Sequence, residues 1–118
     1  MRTVPTYWAR IYVGLQVGYT IERVDENTVA GACHDFCDEV RLCVNCYPTY
    51  FVYVDGGEPG VVVELINYPR FPKEPQKIRD LALTLARKLR ALCKQHRVSV
   101  MFPDETVMLE EEVETPPA

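Results

Sequence analysis

At 118 residues the chain is long enough for one domain with a single hydrophobic core. Four glutamates among the last nine residues account for its formal net charge of −4, so the rest of the chain lacks the basic excess of a strong nucleic-acid binder. No signal peptide is recognisable, and no apolar run approaches the roughly 20 residues that span a bilayer. We therefore predict one cytoplasmic domain over residues 1–109 and an acidic, disordered tail over residues 110–118.

The first part of the chain predicts a strand followed by a helix. Residues 9–17 alternate between apolar and polar side chains, as a half-buried strand does. Asp25 or Asn27 can cap a helix over residues 28–40, in which apolar side chains recur at helical spacing.

A hairpin is predicted next. Residues 42–54 are rich in aromatic side chains and predict a strand, and Pro48 within them favours a position at the edge of a sheet. The turn sequence Asp-Gly-Gly at residues 55–57 leads into an apolar run over residues 61–68, which predicts a central strand.

The last part of the chain predicts a helix and one or two strands. Residues 75–95 begin with proline and carry one apolar stripe, the pattern of an amphipathic helix. Residues 97–102 alternate and predict a strand, which Pro103 ends. Residues 106–109 are consistent with either a further short strand or an arm.

This order of elements predicts an α+β domain, a ferredoxin-like βαββαβ sandwich with a four-stranded antiparallel sheet and two helices on one face. In that arrangement Tyr12 and Gln16 share the open face of the sheet with Val62, Glu64 and Ile66. Such a face is too apolar to remain in water, so we expect another subunit to cover it. The sequence therefore predicts a homo-oligomer, a trimer or larger.

The element order, the apolar open face and the acidic chain end resemble the PII and CutA class of small ferredoxin-like proteins. The resemblance covers residues 9–109 and implies sheets packed around a common axis, with ligands in clefts between subunits. No PII-type nucleotide signature carries over. The sequences NYPRFP (67–72) and VSVMFPDETVMLE (98–110) are also similar to small uncharacterised bacteriophage proteins, which implies a binder directed at the host.

Residues 11–14 (IYVG) resemble the first-strand motif of RNA-recognition domains, which share this topology and stack bases on aromatic side chains. That family also places a basic residue and several aromatic residues on its third strand. Residues 60–64 (GVVVE) contain neither and add a carboxylate, which disfavours RNA binding.

The cysteines raise the question of a metal or redox site. Their odd number, five, favours reduced thiols over a disulfide framework. Cys33, Cys37, Cys43 and Cys46, with His34 nearby, could supply zinc ligands. However, residues three apart on a strand point to opposite faces, and no glycine-containing knuckle or helix N-terminus accompanies the CxxC pair. We therefore interpret the thiols as core filling and predict no metal.

The loop after residues 61–68 is the best candidate for a binding site. It combines an amide, two aromatic rings and an arginine, and its prolines stiffen it. The basic residues that follow, up to Arg97, are interpreted either as a solvated helix face or as part of an anion site at the helix start. The residues predicted to contact a ligand are Asn67, Tyr68, Arg70, Phe71, Lys73, Lys77, Tyr12, Gln16 and Asp104.

No nucleophile, histidine or carboxylate pair stands at catalytic spacing, so we predict no enzyme and no cofactor. We expect a non-catalytic oligomer that senses or sequesters an anionic, nucleotide-like small molecule and has no membrane or nucleic-acid partner. The phage resemblance implies a counter-defence sponge for an immune nucleotide signal. The alternative is an interaction module that inhibits a host protein through the aromatic loop.

Overall fold

The computed structural model describes residues 1–111, which form two helices and one antiparallel sheet of five strands in the order β2-β3-β1-β4-β5. The elements in chain order are β1 (Trp8–Gly14), α1 (Glu26–Val40), β2 (Val44–Tyr53), β3 (Gly56–Ile66), α2 (Pro75–Leu92), β4 (Arg97–Met101) and β5 (Thr106–Glu110).

The predicted fold class, a four-stranded ferredoxin-like sandwich, is wrong because β5 adds a fifth strand beside β4. Val100 of β4 pairs with Val107 of β5, and the turn between them is closed by Phe102 N–H, which donates to the Glu105 carbonyl at 2.8 Å. The alternation of residues 106–109 was compatible with a strand or an arm. These residues form a strand because the backbone donors and acceptors at the free edge of β4 find hydrogen-bond partners in them.

The core lies between the sheet and the two helices, which pack on the same face. Because side chains alternate along a strand, Ile11 of β1 and Val63 of β3 both point towards the helices and are fully buried. Phe36 of α1 meets them from one helix, and Leu85 and Leu89 of α2 from the other. The apolar stripe predicted for the second helix is therefore confirmed as its buried side.

The two helices begin where their capping residues allow. Asp25 caps α1, and its carboxylate accepts a hydrogen bond from Asn27 N–H at 2.8 Å, so the helix starts at Glu26, earlier than predicted. Pro75 opens α2 as predicted, and that helix ends at Leu92. Within residues 1–111, neither helix combines the length and apolar character that crossing a membrane would need.

β2 and β3 form a long hairpin at one side of the sheet. The chain turns at Asp55, whose φ of 59° lies in the left-handed region that aspartate tolerates. β2 pairs only with β3 among the described strands, so it is the edge strand that Pro48 predicted. Its outer half leaves Val52 and Tyr53 exposed.

The described chain continues just beyond β5. Glu110 is the last residue of that strand, and Glu111 N–H donates to the His96 carbonyl at 2.8 Å. Residues 112–118, the remainder of the tail predicted to be disordered, lie outside the described residues.

Burial in the core predicts different effects for two isoleucines. Ile11 is fully buried, whereas Ile21 is 101% exposed. We expect Ile11→Ala to lower the free energy of unfolding by about 2–5 kcal/mol, because it leaves a cavity under α2. Ile21→Ala should change it by less than about 0.5 kcal/mol. Urea denaturation of both variants measures this, and equal effects would contradict the burial of Ile11.

Candidate functional site

The face of the sheet opposite the helices, called the open face here, carries the side chains that alternate with the core. Its centre consists of Trp8, Arg10 and Tyr12 of β1 and Val62 and Glu64 of β3. In the strand register Arg10 lies opposite Glu64, and Tyr12 lies opposite Val62. The outer strands add Asn45, Tyr47 and Phe51 of β2, Ser99 and Met101 of β4, and Met108 of β5.

An ion pair lies at the centre of the open face. Arg10 Nε donates to Glu64 Oε2 at 2.8 Å, and this hydrogen bond raises the pKa of Arg10. The guanidinium also lies over the Trp8 ring, 4.4 Å from its centroid. The Glu64 side chain is only 19% exposed, so water screens its charge less than at the surface. Among the described residues, Glu64 Oε1 has only a 3.5 Å contact with Asn45 Nδ2, so it can accept a hydrogen bond from a ligand.

Aromatic rings surround this ion pair. Tyr12 meets Phe51 edge-on, with ring centroids 6.2 Å apart and an interplanar angle of 67°. Phe51 lies over Gly60, where an added Cβ would collide with the ring and lie 2.7 Å from the Val13 carbonyl oxygen. Tyr47, beside Val62, is 42% exposed. The open face is thus an aromatic surface with a carboxylate and a guanidinium at its centre.

Glu58 lies at the end of the open face, beneath Gly14. Partial burial raises the pKa of Glu58 above its ordinary value of 4.5, although a hydrogen bond from the Gln16 backbone acts in the opposite direction. An added Cβ at Gly14 would lie 3.1 Å from the Glu58 carboxylate and 2.7 Å from Gln95 Oε1, so glycine makes this approach possible. Glu58 and Tyr53 line a cavity of about 330 Å³.

The structure separates the residues predicted to bind a ligand. Tyr12 lies on the open face, and Gln16 lies beyond the end of β1. Lys77 is exposed in the first turn of α2. Asp104 lies in the turn between β4 and β5, where one carboxylate oxygen is 3.8 Å from Arg79 Nη1. These four residues do not form one site within a subunit.

Asn67 and Lys73 hold the predicted loop in place. Asn67 is 8% exposed; its Nδ2 donates to the Pro5 carbonyl at 2.8 Å, and its Oδ1 accepts from Lys73 N–H at 3.0 Å. Lys73 Nζ donates to the Arg41 carbonyl at 2.8 Å. These bonds connect the loop to the N-terminal segment and to the end of α1.

Tyr68, Arg70 and Phe71 line a cleft of about 510 Å³ on the helix side of the sheet. The Arg70 guanidinium lies 5.5 Å from the centroid of the Phe71 ring. The opposite wall of the cleft is formed by α1 and the start of β2. Because Tyr12 points to the other side of the sheet, one small ligand cannot contact both Tyr12 and this loop in the same subunit.

The sequence pattern places Glu64 on the open face, but neither Glu64 nor Arg10 is among the predicted site residues. A signal was present, since Glu64 interrupts an otherwise apolar run of β3 and Arg10 is the charged residue within β1. The sequence pattern does not reveal that the two side chains meet, because they are brought together by the register of strands that are distant in the chain.

Two solved structures are similar to this fold. A phage SAM lyase in its apo state superposes with a TM-score of 0.76 over 92% of each chain, at 19% sequence identity. A phage SAM lyase in complex with S-methyl-5'-thioadenosine superposes with a TM-score of 0.73 over 90% of each chain, at 18% identity. This chain has the fold of those lyases. No family model and no curated protein sequence matches it.

This likeness corrects the prediction that the chain is not an enzyme. That prediction is wrong, because the fold over nine-tenths of the chain is one that forms a lyase. The lack of a recognisable nucleophile or acid–base pair is therefore not grounds for excluding catalysis. The resemblance to PII and CutA proteins stays a prediction, since neither of the two structures comes from that class.

The raised pKa of Glu58 predicts a pH-dependent stability. A carboxyl group whose pKa is raised by folding contributes stability below its unfolded pKa and loses it as the pH rises through the folded value. Glutamine keeps the hydrogen-bond acceptor without the charge. We therefore expect Glu58→Gln to gain thermal stability relative to the native protein between pH 4 and pH 8, in melting curves recorded across that range.

The control for Glu58→Gln is Glu39→Gln, on the exposed side of α1. Its melting temperature should follow that of the native protein at every pH. Parallel curves for Glu58→Gln and the native protein would show that burial does not perturb Glu58.

Proposed function

We propose that this protein is a lyase that cleaves S-adenosylmethionine (SAM) on the open face and releases S-methyl-5'-thioadenosine. Support comes from the ion pair between Arg10 and Glu64, which lies among aromatic rings on a fold similar to that of phage SAM lyases. SAM carries an adenine ring, a sulfonium cation, an ammonium group and a carboxylate. Aromatic rings and a partly shielded charge pair complement each of these groups.

The proposed cleavage does not require the protein to donate or accept a proton. When the bond between the sulfonium sulfur and Cγ of the methionine moiety breaks, sulfur keeps the electron pair and leaves as a neutral thioether. The carboxylate of the same substrate can attack Cγ, which forms a lactone and consumes neither water nor a proton. Arg10 Nε already donates to Glu64 Oε2, so this oxygen is not free to take a proton from the substrate, and this favours the internal displacement over an elimination.

The side chains of the open face then have distinct roles. Glu64 attracts the cationic part of SAM, and its Oε1 can accept a hydrogen bond from the substrate ammonium. Trp8, Tyr12 and Tyr47 offer ring faces to the sulfonium and the adenine. Arg10 holds the Glu64 carboxylate in position through its 2.8 Å hydrogen bond.

The predicted homo-oligomer fits this proposal. The helices cover only the opposite side of the sheet, so a single subunit leaves a substrate on the open face in contact with water. A second subunit lying on its apolar side chains, which include Val62 and Met108, would enclose the substrate and strengthen its interaction with Glu64. The phage source of both similar structures supports the predicted phage setting, in which the protein would act by consuming a host metabolite.

Incubation of the purified protein with SAM tests the activity, with S-methyl-5'-thioadenosine measured by liquid chromatography and mass spectrometry. We expect the native protein to form this product and Glu64→Gln to form it at least about 100-fold more slowly, because the charge that favours the cation is lost. Glu39→Gln, on the exposed side of α1, should retain the native rate.

Circular dichroism and native mass spectrometry must first show that Glu64→Gln keeps the fold and the assembly of the native protein. An absence of product above a protein-free control would refute the lyase proposal, even if SAM raised the melting temperature. Equal rates for Glu64→Gln and the native protein would show that neither Glu64 nor the open face takes part in the reaction.

A further inference from the structure

Four cysteines line the cleft next to Tyr68 and Phe71, on the side of the sheet away from the proposed SAM site. We call it the thiol cleft; its volume is about 510 Å³. Within residues 1–111, no group of three or more His, Cys, Asp or Glu side chains is placed to hold a metal ion. The function of these cysteines is therefore sought in the reactivity of their thiols. The four cysteines are Cys33, Cys37, Cys43 and Cys46.

Two of these thiols reach the cleft from different elements. Cys33 lies on the buried side of α1 and is 2% exposed. Cys46 lies on β2 opposite Val63, so it points to the helix side of the sheet, yet it is exposed. Cys33 and Cys46 line the same cleft, one from α1 and the other from β2. An accessible thiol and a buried thiol thus share this cleft.

The two thiols differ in acidity. Interaction with Cys33 lowers the pKa of Cys46 to about 7, while interaction with Cys46 and burial raise the pKa of Cys33. Near neutral pH, a large fraction of Cys46 is therefore the thiolate, the nucleophilic form of cysteine, and Cys33 remains a thiol. The other titratable or charged groups that line the cleft are His34, Cys37, Cys43 and Arg70.

We propose that the thiol cleft is an oxidative modification site, in which hydrogen peroxide oxidises Cys46 and Cys33 then closes a disulfide with it. In the first step the Cys46 thiolate attacks one peroxide oxygen, the O–O bond breaks, and hydroxide leaves and takes up a proton as water. Cys46 is then a sulfenic acid. In the second step the Cys33 sulfur attacks the Cys46 sulfur, the S–OH bond breaks and a second water leaves. The protein loses two hydrogens and the peroxide is reduced.

The position of Cys46 on an edge strand favours formation of the disulfide with Cys33. A disulfide requires the two sulfurs to approach to about 2.05 Å, so one element must move slightly. β2 is the edge strand and is paired on one side among the described strands, so it can shift towards α1 more easily than a central strand. The resulting bond would tie the edge of the sheet to α1.

Peptide mapping of the native protein after treatment with hydrogen peroxide at pH 7 tests the proposal. Free thiols are blocked with N-ethylmaleimide, and the digest is analysed without reduction. We expect a peptide pair cross-linked through Cys33 and Cys46 within one chain, and its loss after reduction. Before oxidation, Cys46 should react with iodoacetamide at least about tenfold faster than the buried Cys93.

Three variants separate the roles of the thiols. Cys33→Ala should leave a sulfenic acid at Cys46 that dimedone traps, and Cys46→Ser should lose both the trapped adduct and the cross-link. Cys43→Ser, at the other side of the same cleft, is the matched control and should keep the native cross-link. Should Cys33→Ala not fold, the mapping of the native protein still decides.

The proposal is overturned if oxidation yields no pair of Cys33 with Cys46, or if only cross-links between chains form. It is also overturned if Cys46→Ser forms a cross-link through Cys33 as readily as the native protein. Neither the mapping nor the alkylation rate depends on SAM cleavage, so these outcomes stand whatever the assay of the lyase proposal shows.

Discussion

The pairing of β1 with β3 is the constraint on which both faces of the sheet depend. The register that places Ile11 opposite Val63 in the core also places Arg10 opposite Glu64 on the open face. Because side chains alternate, a slip of β1 by one residue would turn Arg10 towards the helices and expose Ile11. The cost of burying charges in the core excludes that arrangement. Folding of the core and assembly of the candidate site are therefore one event.

Under the proposed function, the ion pair of Arg10 and Glu64 serves the chemistry of the site more than the stability of the fold. Removing two charges from water costs about as much as their attraction returns, and apolar side chains of similar volume are often at least as stabilising. An aromatic, partly shielded surface contributes more to function than to stability, because it strengthens the attraction of a carboxylate for a nearby cation. A substrate that carries its own cationic leaving group needs such a field more than it needs a base. Such a lyase would carry no acid–base or nucleophile motif in its sequence.

Local patterns predicted individual elements of the site well and their combination poorly. The loop around Tyr68 was correctly placed between a buried strand and a helix, and its aromatic side chains do line a cleft. Its amide, Asn67, was interpreted as a ligand contact, but it is buried and bonded to the backbone at Pro5 and Lys73. A loop sequence does not show which of its polar groups the rest of the chain already engages. Nor does it show that Tyr12 lies on the other side of the sheet.

Local sequence patterns were enough to predict both helices, the long hairpin, the edge position of β2 and the apolar character of the open face. Each of these depends on periodicity, turn chemistry or a proline, which act over a few neighbouring residues. The three-dimensional packing of the chain was needed to show that residues 106–110 form a fifth strand, that Arg10 meets Glu64, and that Cys33 and Cys46 share a cleft. These features depend on contacts between segments far apart in the chain, where strand register and helix packing, rather than local preference, determine which side chains meet.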